Sequence, residues 1–197
     1  MTGISKYLLI TFLFLFPHKS LAQNNIDWDG IYLLVLTDFQ SAASQIGDVT
    51  IYSLNTAATI DFAFQMTNGE FMFTKNFNSK VGCTFHKNAA SLVAPDTLTA
   101  MDLLNFARFD FDLTELYARK FRKKLYESKG AFSDASFFRP IFDTIQKEYS
   151  ERHTLAARDT DIGRESLKLV ILHDAVRAEI AELSEFCKSC KPVKKKK

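Results

Sequence analysis

The stretch Thr97 to Glu127, TLTAMDLLNFARFDFDLTELYARKFRKKLYE, constrains this chain more than any other. Apolar residues occupy nearly every side of its first half, among them Leu104, Phe106, Ala107, Phe109, Phe111 and Leu113, and little polar surface returns before Arg119. A helix that is apolar all round must be buried. Pro95 with Asp96 or Thr97 as N-cap marks its start. Arg119, Lys120, Arg122, Lys123 and Lys124 gather toward the other end, where positive charge suits the helix dipole. The rest of the chain must therefore wrap this helix. With 197 residues, 47% of them hydrophobic and 19 of them Phe, there is enough apolar material for one domain with an aromatic core.

Strand patterns come before that helix and helical patterns after it. Ile31 to Leu36 is an apolar run of strand length. Ser41 to Gly47 reads as a small-residue loop, and Asp48 to Leu54 as a further strand. In TIDFAFQMT, Ile60, Phe62, Phe64 and Met66 alternate with Thr59, Asp61, Ala63 and Gln65, the signature of a half-buried strand. Asn68-Gly69 then predicts a primed turn and a hairpin with EFMFTKNF, and Lys80 to His86 predicts another strand. After the turn at SDAS, Phe138, Ile141, Phe142, Ile145 and Tyr149 form one helical stripe from about Phe137, with Pro140 in the first turn. A last helix is expected from about Glu165 to Phe186. Strands first and helices later indicate an α+β fold: a small N-terminal antiparallel sheet, a long central helix and two further helices.

Both ends of the chain read differently from its body. Lys6, the apolar run YLLITFLFLF and Ser20-Leu21-Ala22 make Met1 to Ala22 a candidate signal peptide, too short to span a bilayer comfortably. The expectation is an exported protein, periplasmic or extracellular. Residues 23–191 then form a single domain, and residues 192–197 a disordered basic tail. The net charge of +2 is carried by those ends, leaving the body mildly acidic. No nucleic-acid surface is expected on it. Membrane contact is limited to peripheral attraction through Lys194 to Lys197.

The central helix also resembles a known family. LLNFARFDFDLTELYARKFRKKL is similar to the central helix of bacterial secreted proteins described as zinc-dependent proteases, a domain of unknown function. Members carry a pattern close to L-L-x-H-E-x-x-H-F-D-(I/L)-x-E-L-Y-A-R-K-(L/F)-R. The match is tight from Phe111 to Arg122 and fails at the chemistry. Phe106 and Asp110 stand at the two histidine positions, and Ala107 stands at the glutamate. Histidines at i and i+4 face one zinc, and the intervening Glu activates its bound water. Phenylalanine has no lone pair for a metal, and alanine accepts no proton. In the run ARDTDIG, Ile162 stands where the family's D-x-E-T-x-H-G-like run carries a histidine, which the resemblance implies as third ligand. Zinc is thus implied by the family while its ligands are missing, and no cofactor is expected.

The resemblance implies a metallopeptidase scaffold that has lost its zinc ligands and general base. Its role would be non-catalytic, in binding or structure, with a protein or peptide as the open class of partner. Two alternatives remain. One is an active metal-dependent peptidase or hydrolase with an altered site built from Asp110, His153 and His173. The other is an envelope-associated interaction module held by the basic tail or by Cys187-x-x-Cys190. Asp110 and Asp112 are expected at solvent, at a cap, or beside Arg108 and Arg119. Glu115 is expected to pair with Arg119 at i+4. Of Cys83, Cys187 and Cys190, a Cys187–Cys190 bridge and a bridge from Cys83 to the tail are both open.

Overall fold

A computed structural model describes residues 24–62, 65–130, 133–134 and 136–192. The candidate signal peptide, the lysines of the tail from Lys194 onward, and the alternation positions Ala63 and Phe64 lie outside the described residues. Strands precede the three long helices, as expected, and they form two small sheets. In the first, β5 (Val81–His86) lies between β1 (Asn25–Asp27) and β4 (Ala58–Phe62), antiparallel to both, with Ile26 opposite Phe85 and Ile60 opposite Cys83. In the second, β6 (Ser91–Ala94) lies between β2 (Gln45–Ile46) and β3 (Ser53–Asn55). The β3 pairing is antiparallel and the short β2 pairing is parallel.

The expected hairpin does not form. Thr67 and Glu70 close a capping box instead: the Glu70 N–H donates to the Thr67 hydroxyl at 3.2 Å, and the Thr67 N–H donates to the Glu70 carboxylate at 2.8 Å. That reciprocal pair starts the short helix α1 (Asn68–Phe73), which takes Asn68-Gly69 out of any turn. The strand β4 consequently finds its partner in β5. The expected strand over Ile31 to Leu36 is absent too. Asp29 accepts the N–H groups of Ile31 and Tyr32, Asp38 accepts that of Val35, and Arg108 donates to the Leu34 carbonyl. Side chains satisfy the backbone that a ladder would have satisfied. Leu34 alone in this loop is buried, while Ile31, Leu33 and Val35 face outward. Of the expected strand over Asp48 to Leu54, only the last two residues enter β3.

The central helix α2 (Thr97–Ser128) has the expected extent, and the Asp96 carboxylate caps it by accepting from the Thr99 N–H at 2.8 Å. It lies against β4, β5 and β6 on one side and against α3 (Phe138–Asp159) and α4 (Ser166–Glu182) on the other. Its apolar girdle is enclosed from all directions, and the buried hydrophobic residues form a single cluster around it. The α3 stripe packs onto that cluster with Ile145 fully buried. The helix α4 stops at Glu182, and a 3-10 turn (Ser184–Phe186) completes the stretch expected to be helical. Among the described residues no helix is long and apolar enough to cross a membrane.

Candidate functional site

Of the four positions singled out by the resemblance, Phe106, Ala107 and Asp110 lie in the middle of α2 and Ile162 lies in the turn after α3. Phe106 and Ala107 are buried core residues, and the Phe106 ring meets the His153 ring edge-on at 5.7 Å. Ile162 follows α3 in a tight turn, where Asp161 and Ile162 both take left-handed backbone angles (φ 48° and 51°). Next to it, Gly163 (φ 99°) presses so closely on α2 that an added Cβ would stand 2.3 Å from the Asp102 carbonyl oxygen and 3.1 Å from Phe106 Cβ. Only glycine tolerates both that angle and that approach.

Asp110 corrects the expectation of a carboxylate turned to solvent, a cap or a neighbouring arginine. It is wholly buried and accepts from three side chains, one between β3 and β4 and two on α3. The Thr56 hydroxyl donates to Oδ2, while the Tyr149 hydroxyl at 2.9 Å and His153 Nδ1 at 2.6 Å donate to Oδ1. Arg108 and Arg119 are engaged elsewhere, on the Leu34 carbonyl and on Glu115. The hydrogen bond to Asp110 raises the His153 pKa above its ordinary value, against burial, which lowers it. Burial, reinforced by the Asp110 charge, raises that of Tyr149 and keeps its hydroxyl a donor. A buried carboxylate that fixes the Nδ1 proton is a means of orienting an imidazole for proton transfer.

His173 does not join this group. It donates Nε2 to Asp112 at 2.7 Å, where Trp28 Nε1 at 2.7 Å and Arg177 Nε at 3.2 Å also donate. Burial works to raise the Asp112 pKa, but the hydrogen bonds from His173 and Trp28 and the nearby positive charges outweigh it, so the carboxyl titrates below its ordinary value. Residues two apart on a helix point in nearly opposite directions, so Asp110 and Asp112 serve different histidines. The third histidine, His86, sits on the sheet between Thr59 and Asn25. Among the described residues no three His, Cys, Asp or Glu side chains are grouped to hold a metal ion. The residues at the motif positions do not fit zinc: Phe106 and Ala107 offer no donor atom, and both Asp110 oxygens are taken by protein groups.

The residues that follow Asp110 on α2 build an ion cluster. Glu115 pairs with Arg119 at 2.8 Å, as expected, and also with Arg122 at 2.7 Å. Arg122 is fully buried and further donates to the carbonyls of Val81 and Phe186, while Arg119 donates to that of Ile180. These two arginines tie the start of β5 and the end of α4 to the central helix. The cysteine question resolves as Cys187–Cys190, with Cys83 a buried free thiol whose pKa burial raises. Asn76 and Asn78 both donate to the Cys190 carbonyl and hold that small loop on the body.

Sequence reasoning missed a groove on another face of α2. It is floored by Asn105, Arg108 and Asp112, walled on one side by α4 and on the other by the loop from Trp28 to Leu33. Its two compartments measure about 300 and 450 Å³ and share Leu33 and Arg177. Of the apolar yet exposed residues of α4, Val170 lines it. No protein-family model, curated protein or solved structure matches this chain.

Proposed function

We propose that this is an exported, non-catalytic relative of the secreted zinc-protease-like proteins, which keeps the scaffold for a binding or structural role. One observation carries the reading. The helix wording that matches the family, Phe111 to Arg122, contributes the ion cluster joining α2 to β5 and α4, whereas the positions for chemistry have become packing and a closed hydrogen-bond set. A scaffold retained around an internally satisfied centre is what loss of catalysis leaves behind. Zinc content measured by elemental mass spectrometry, after dialysis of the purified protein against zinc, tests this. The expected result is far less than one zinc per chain, and stoichiometric zinc overturns it. The combined substitution Phe106→His, Ala107→Glu, Asp110→His and Ile162→His is expected to gain zinc.

The contact between Asp110 and His153 favours one alternative, a hydrolase using His153 as general base. Its carboxylate-held Nδ1 suits that role, and no described residue bonds to Nε2. Peptide hydrolysis that persists in chelator and disappears in His153→Asn supports this second reading over the first.

A further inference from the structure

The groove beside α4 is a built surface separate from the motif positions. Ser166, Leu169, Val170, His173, Arg177 and Ala181 line it from one face of α4. At 1.5 Å per residue that face is about 22 Å long, the span of six or seven extended residues. Its middle carries two arginines. Arg108 and Arg177 line it beside His173, and Asp112 is the one carboxylate among the described lining residues. Asp112 is already taken by Trp28, His173 and Arg177. Arg177 uses only Nε on it, and no described residue accepts from its Nη groups. Arg108 likewise donates Nε to the Leu34 carbonyl and Nη1 to Asn105, with Nη2 taken by no described residue. Arg177 thus offers its Nη1–Nη2 edge, and Arg108 its Nη2, to an outside carboxylate, and an edge is the geometry in which arginine binds best.

The flanks of that middle are apolar. Leu33 and Val170 stand more than half exposed on either wall. Trp28 and Ile180 line the far compartment. Exposed apolar residues bordering a concave groove mark an interaction surface more often than scattered ones do.

We propose that this groove binds an extended segment of another protein, with an acidic side chain at its centre seated between Arg108 and Arg177 and apolar side chains laid on Leu33 and Val170. Charge selects the centre, and the length of the groove selects an extended peptide over a small anion. The inference stands whether or not the protein holds zinc.

The test uses the intact protein and two pools of fluorescent seven-residue peptides with mixed flanks, one with Glu fixed at the centre and one with Gln. Binding is read by polarisation. The Glu pool is expected to bind at least about ten-fold more tightly than the Gln pool, since a carboxylate-to-arginine bond is worth roughly that factor. Arg177→Gln should bring the Glu pool down to the Gln level while Asp112 keeps Trp28 and His173. Val170→Asp, on an exposed position, should weaken both pools with circular dichroism unchanged. Equal binding of the two pools, or binding of neither, overturns the proposal. So does a dimer in sedimentation that Val170→Asp dissociates, which would make a second copy of the chain the occupant.

Discussion

The Glu115 carboxylate and the Arg122 guanidinium, two turns apart on α2, meet at 2.7 Å with both side chains out of solvent. Arg119 shares the same carboxylate at 2.8 Å, so one buried negative charge answers two positive ones. What makes this tolerable is the backbone. Carbonyls of Val81, Phe186 and Ile180 accept further guanidinium protons, so the cluster also joins the sheet to the C-terminal turn. Burying charge is costly unless every group is paired, and here the pairing doubles as the link between layers.

Glu115→Gln should therefore be among the most damaging single changes. It leaves two adjacent buried guanidinium groups without a counter-charge, and removing one partner of a buried pair costs about 3–5 kcal/mol. Urea unfolding followed by circular dichroism measures this. A loss below about 1 kcal/mol, the scale of an exposed pair, would show that water reaches the cluster.

Stability should fall as pH rises through the titration of His153. Its folded pKa lies above the ordinary value of 6.5 because Asp110 accepts from Nδ1. The unfolded chain then releases the proton first. The contribution is complete below about pH 6.5 and is lost as pH climbs through the raised folded value. Urea midpoints collected across that range should slope downward in the parent protein and flatten in His153→Gln. Equal slopes in both would detach His153 from the effect.

Gly163→Ala should destabilise by at least about 3 kcal/mol, or prevent folding, since left-handed strain of about 1–3 kcal/mol adds to a clash with the Asp102 carbonyl. Thermal unfolding reads the change. Gly47 shares the positive angle (φ 89°) but has open space around its Cβ position, so Gly47→Ala should cost clearly less. Similar losses at the two sites would assign the effect to backbone angle alone.

Several elements were legible in the residues because one local signal dominated each. Uniform apolarity marked α2 as buried and period-3.6 spacing marked α3. The hairpin failed because two local signals competed. Asn68-Gly69 favours a primed turn, but Thr67 and Glu70 at capping-box spacing favour a helix start, and the cap won. That T-x-x-E spacing was present in the sequence and was the sign to weigh.

By itself, the sequence determined the α+β order, the buried central helix and the absence of any metal-donor atom in the side chains of Phe106 and Ala107, since residue type and spacing alone decide these. The tertiary structure decided what Asp110 does. Thr56, Tyr149 and His153 lie 54, 39 and 43 residues from it, and nothing local says that they converge on one carboxylate. It likewise decided that Asp112 takes His173 and that Arg108, His173 and Arg177 share a groove. Helix and strand periodicity assigns a residue to a face of its own element. Which other face it meets depends on how the layers pack around α2, and that is set by burial summed over the whole chain.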